Sequence, residues 1–112
     1  MENNEILIDE DIKVSFEVYN NSILDWLKAD EYACVSDKDI MNIEDVLSEI
    51  IEDIPFYIDC YDSFVERTET SNIFNFIIQA DYNHDLMIRD LHCFLENSKL
   101  SGLKFEQIRV DY

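Results

Sequence analysis

Gly102 and Pro55 are the only residues of their kind in 112, so the chain has little material for linkers, structureless loops or a glycine-rich phosphate loop. No repeat, low-complexity segment or domain boundary is visible, and the length fits a single domain, residues 1–112. Cys34, Cys60 and Cys93 are odd in number, widely spaced and outside any Cys-x-x-Cys pattern. They read as reduced, buried thiols rather than a disulfide framework. The start, Met1-Glu2-Asn3-Asn4-Glu5, lacks a basic n-region, and no apolar run approaches the length of a membrane span. A cytoplasmic protein is expected.

Positive charge is scarce as well. Eight Lys and Arg stand against 26 Asp and Glu, for a formal net charge of −18. Such a load costs stability through self-repulsion, and solubility alone asks for a net magnitude of roughly 2–8 in a small domain. The surface potential is therefore read as the working part. It excludes direct nucleic-acid binding and anionic membranes as partners, because both need cations on the protein. A basic surface, most often one built to hold DNA or RNA, is the partner expected. A hydrophobic fraction of 47%, with seven Phe and six Tyr, supplies a core and argues against disorder.

Ile12, Val14, Phe16 and Val18 alternate with Lys13, Ser15 and Glu17, closing a segment from Glu5 to Tyr19 that predicts a half-buried strand. Leu103, Phe105 and Val110 predict a second strand ending near Tyr112, placed to pair with the first. Ser22 to Ala29 reads as a short helix or turn. Asn42 is taken as the N-cap of a helix whose apolar stripe is Ile43, Val46, Leu47, Ile50, Ile51 and Ile54. Pro55 stops that helix, and Phe56 to Arg67 reads as another, with Tyr57, Tyr61, Phe64 and Val65 on its apolar side. Ser71 is taken to cap a third helical region reaching about Asn97, bent near Asn83. The expectation is an α+β fold: a helix-dominated small domain with a short sheet from the N- and C-terminal segments.

The acids carry the functional expectation. From Ile43 to Ile54 there is no Lys or Arg, while Asp45, Glu49 and Asp53 follow at spacings of four. Helical neighbours at that spacing lie about 5–6 Å apart, close to the separation of successive phosphates, and like charges there destabilise a helix. Duplex DNA carries about one charge per 1.7 Å, so a charge of −18 equals roughly 30 Å of duplex. The phosphate-mimic carboxylates expected are Glu44, Asp45, Glu49, Glu52, Asp53, Asp59, Asp62, Asp81, Asp85 and Asp90. The bland alternative is a solvated acidic surface on a protein with another task.

Other chemistry finds little support. Asp81-x-Asn83-x-Asp85 opens like a calcium loop, but Leu86 replaces the turn glycine and His92 the bidentate Glu. His84, His92 and Cys93 lack zinc-ligand spacing, and His92 and Cys93 as helical neighbours would diverge. No metal, cofactor or catalytic residue is assigned, and enzyme activity is not expected. Trp26, Phe74, Phe76 and Phe94 read as core or dimer contacts.

Asn75-Phe76-Ile77 followed by Tyr82-Asn83-His84-Asp85-Leu86 resembles a signature of antirestriction proteins of the ArdA and Ocr type from phages and mobile elements. The acidic helix running into Ile54-Pro55-Phe56-Tyr57 is similar to an Ocr segment, and Tyr19-Asn20 with Trp26 loosely resembles an element of ArdA. The resemblance covers a little under half of the chain. Asn83 and His84 stand where ArdA has Gly and Arg, and Ile78 where it has an acid. The resemblance implies a homodimeric DNA mimic, acting in the host cell cytoplasm, that occupies the DNA-binding groove of a type I restriction–modification complex. The same physics admits a CRISPR effector or a uracil-DNA glycosylase as target, or an immunity protein against a basic nuclease toxin.

Overall fold

The computed structural model describes residues 11–30, 32–54, 57–80 and 84–111, with the backbone alone at Tyr57, Ile58, His84 and Asp85. The strand β1 spans Asp11–Tyr19, followed by helices α1, Asn20–Leu27, and α2, Asp37–Glu52. Strands β2, Tyr57–Arg67, and β3, Ser71–Ala80, form a hairpin. Helix α3, His84–Glu96, leads to β4, Gln107–Asp111.

The strands form one antiparallel sheet in the order β2-β3-β1-β4, so β1 is central although it comes first. That connectivity interlocks two split β-α-β units, the ferredoxin-like arrangement. Ile12, Val14, Phe16 and Val18 of β1 face the same side as Phe74, Phe76, Ile78 and Ala80 of β3. Ile23 of α1, Ile40 to Ile51 of α2, and Met87, Leu91 and Leu95 of α3 join them in one core. Phe16 is its centre, meeting Phe76 edge-on at 6.0 Å and Phe105 at 6.0 Å. The helices thus cover one face of the sheet. Among the described residues no helix covers the other, open face.

The expectation of a helix-dominated domain is overturned. The terminal strands are present, with β4 pairing β1 antiparallel from Gln107 opposite Glu17 to Asp111 opposite Lys13. Leu103 and Phe105 precede β4 rather than lie in it, and the expected strand residues 5–10 and Tyr112 fall outside the described residues. The two central helical predictions fail. The segment from Tyr57 to Arg67 is a strand with irregular register between Tyr57 and Asp59 and between Cys60 and Asp62. Each irregularity breaks the two-residue period that marks a strand and leaves aromatic spacing that imitates a helix.

Ser71 caps no helix. Its backbone N–H donates to Thr68 Oγ1 at 3.0 Å and closes the hairpin turn. Residues 71–80 are buried on one face and half-buried or buried on the other, so they show no clean alternation. The bend expected near Asn83 lies outside the described residues; helix resumes at His84.

The N-cap of helix α2 lies six residues before the expected one. Ser36 caps it, with Asp39 N–H donating to Ser36 Oγ at 3.1 Å and Ser36 N–H donating to Asp39 Oδ2 at 3.0 Å. Asn42 is an exposed residue inside the helix. Cys34 and Cys93 are exposed and Cys60 is half-buried, so the expectation of buried thiols is corrected. Phe74 and Phe76 are core residues as expected, while Trp26 and Phe94 are partly buried at its margin. No helix among the described residues is long and apolar enough to cross a membrane.

Candidate functional site: an acidic edge

Helix α2 turns Ile40, Ile43, Leu47, Ile50 and Ile51 inward, which forces its polar residues outward. Asp45, Glu49, Glu52 and Asp53 are exposed and Glu44 is half-buried. From Asp45 to Asp53 the stripe runs about 12 Å along the helix. Its last turn holds no basic residue. Carboxylates at that end face the negative pole of the helix dipole, each at a cost of about 0.3–1 kcal/mol.

The strand irregularities of β2 extend the stripe. Asp59 lies opposite Gln79 and Asp62 opposite Ile77, two successive positions on the open face of the sheet. In a regular strand, residues three apart point to opposite faces. The extra residue therefore brings Asp59 and Asp62 onto one face about 6.6 Å apart. Phe64 and Glu66 continue the same row, opposite Asn75 and Ile73.

Cys60 reports how the two stretches meet. Burial pushes its thiol above the usual range, a hydrogen bond with the Asp62 backbone offsets part of that rise, and the charges of Asp59, Glu52 and Asp62 add smaller upward pushes. One carboxylate of α2 and two of β2 thus act on a single sulfur at the β2 edge. The negative band runs along α2, around that edge and onto the open face.

Between Asp39 and Glu66 the chain contains nine acids (Asp39, Glu44, Asp45, Glu49, Glu52, Asp53, Asp59, Asp62 and Glu66) and no Lys or Arg. Among the described residues, the ion pairs are Arg67–Asp37 at 2.8 Å, Arg89–Asp90 at 3.6 Å and Arg109–Asp111 at 3.5 Å. None takes a carboxylate from the band. Asp59 and Asp62 accept local backbone N–H groups, from Cys60 at 2.8 Å and Ser63 at 2.9 Å, which fixes their orientation.

The remaining expected site residues fall elsewhere. Asp90 sits on α3, half-buried, beside Arg89. The side chain of Asp85 and the whole of Asp81 lie outside the described residues. Glu66, an acid of the same segment outside the expected set, joins Asp59 and Asp62 in one row on β2. The Asn75-Phe76-Ile77 motif occupies β3, where Asn75 is 1% exposed and structural. Its Oδ1 accepts from Ser15 Oγ at 2.8 Å, and its Nδ2 donates to Glu66 Oε1 at 3.0 Å and Ile73 O at 3.2 Å. Asn75 thereby holds the last carboxylate of the band in place.

The open face beyond Glu66 differs in character. A shallow hollow of about 270 Å³ there mixes Lys13 and Arg109 with Glu17, Glu66 and Asp111. Lys13 also lies over the Phe64 ring at 5.8 Å. Neutralised in this way, that hollow is a poor copy of a phosphate row. No family model, curated protein or solved structure matches the chain.

Proposed function

We propose that the protein inhibits a DNA-binding enzyme by mimicking DNA, with the α2–β2 edge seated in the enzyme's DNA groove. The observation that carries this reading is the band from Asp45 to Glu66, whose carboxylates form no ion pair among the described residues and are held at close spacing on helix and strand. Arg and Lys side chains that grip phosphate would engage these carboxylates through charge-assisted hydrogen bonds. Inhibition is by occupancy; no residue of this chain performs a reaction. A type I restriction–modification complex is the target to which the ArdA and Ocr resemblance points.

The test is competition. A purified type I complex, or its methyltransferase core, is titrated with the protein while DNA binding and cleavage are followed. Both should fall as protein is added, and the protein's own affinity for the complex, measured without DNA, should drop steeply between 50 and 200 mM salt, on the order of the salt dependence of DNA itself. Normal cleavage in the presence of excess protein at low salt refutes the target. A mass-identified pull-down from bacterial lysate then reveals whether a CRISPR effector, a glycosylase or a nuclease toxin takes its place.

A further inference from the structure

Two adjoining hollows, which a pure phosphate mimic has no use for, lie along one flank of α2. One, of about 210 Å³, opens between α2, α1 and Leu100. The other, of about 380 Å³, lies between α2 and the end of α3. Both are bordered by Val46 and Lys99, so they meet at those residues to form one groove. Its flank of α2 runs from Asp39 to Asp53, about 21 Å of helix.

The floor is apolar and fixed. Trp26, Ile43 and Val46 line one end, and Val46, Ile50 and Phe94 the other. Trp26 cannot swing away freely, because its Nε1 donates to Ser101 O at 3.1 Å. Gly102, with φ of 90°, turns the chain beneath the indole, where a Cβ would stand 3.7 Å from Trp26 Cδ1. Leu27 is 41% exposed at the lip. Among the described residues the rim carries Asp39, Glu49 and Asp53 against one cation, Lys99.

We infer that this groove receives a basic segment of the target protein, an amphipathic stretch that places Leu- or Phe-type side chains on the Trp26–Val46–Phe94 floor and Lys or Arg against the acidic rim. Charge complementarity selects that occupant: three acids to one base at the rim and a net −18 overall leave an acidic or neutral peptide disfavoured. An apolar floor edged by polar groups, Asn42, Asn97 and Ser98 beside the charged residues, suits a side-chain anchor flanked by polar contacts. The inference takes from the proposed function only that the partner is a basic protein. It adds a contact that no stretch of DNA could offer, and so a means of choosing one cationic enzyme among many.

Trp26, the only tryptophan, is the reporter. The probe is a short synthetic peptide of Lys and Arg carrying two Leu one helical turn apart, compared with a twin in which both Leu are Ser. The Leu peptide should bind about tenfold tighter, equivalent to about 1.4 kcal/mol, and shift Trp26 emission. Leu27→Ser, at the exposed lip, and Val46→Glu, on the floor, should each erase most of that difference while far-ultraviolet circular dichroism stays unchanged. Equal affinity for the two peptides, an unmoved Trp26 signal, or Leu27→Ser binding like the parent overturns the inference. If the peptides are distinguished but no restriction complex is inhibited, the groove stands and the restriction target falls.

Discussion

Two buried asparagines show what single residues contribute to this surface. Asn72 is fully buried, accepts from Arg67 Nε at 3.0 Å, and donates to Asn20 Oδ1 at 2.8 Å. It thereby joins β3 to the end of β2 and the start of α1. Asn75 does the same between Ser15 and Glu66. Removing such a group strands its partners without hydrogen bonds, at about 1–3 kcal/mol. Asn75→Ala should therefore lower the unfolding free energy by that amount and shift the urea midpoint downward. It should also free Glu66, so inhibition should weaken even where the variant remains folded. An unchanged unfolding midpoint would show that water replaces these bonds at no cost.

Among the elements, α2 is where stability and proposed function oppose each other. Its capping box satisfies the N-terminus and its C-terminal turn is loaded with the wrong sign of charge. Exchanging Glu49 and Glu52 for Lys should stabilise the fold by about 0.5–2 kcal/mol and raise the melting temperature by several degrees. The same exchange should weaken inhibition of the target by tenfold or more, since it reverses charge at the centre of the band. A variant that gains stability and keeps full inhibition would move the working surface away from α2.

Legibility in the sequence also varied by element. Strand β1 was plain because one face is core and the other open, so its residues alternate. The stripe of α2 was plain too, although Ile40 and the Ser36–Asp39 pair were missed behind the polar run Asp37-Lys38-Asp39. The hairpin was hidden for opposite reasons: β3 is buried on one face and half-buried or buried on the open one, so it loses its alternation, and β2 keeps its alternation only when the irregularities at Asp59 and Asp62 are known. Of the expected carboxylates, those of α2 with Asp59 and Asp62 come together. Their conjunction depends on the strand irregularity and on the turn of the chain around the sheet edge, which neither composition nor spacing encodes.

At the scale of the molecule, charge is segregated along the chain. Residues 39–66 carry nine acids without a base, while residues 97–112 carry Lys99, Lys104 and Arg109 against Glu106 and Asp111. Self-repulsion within the acidic part is screened over about 10 Å at 0.1 M salt and about 3 Å at 1 M. Melting temperature should therefore rise by several degrees between 20 mM and 500 mM sodium chloride, while affinity for a cationic target falls. Scanning calorimetry and binding isotherms on the same samples check both. A melting temperature indifferent to salt would mean that the crowded acids cost the fold nothing.

The central position of β1 sets a schedule for synthesis. Tyr19 must wait for Ser71 and Asp11 for Gln79, and β4 comes later still. At about 5–20 residues per second, the ribosome leaves Ile12, Val14, Phe16 and Val18 without their sheet partner for several seconds. The residues emerging in that interval include the whole acidic stretch from Asp39 to Glu66. Neighbouring nascent chains on one messenger should then repel each other while that apolar strand is bare, so the same carboxylates proposed to hold an enzyme should also oppose aggregation of the unfinished protein.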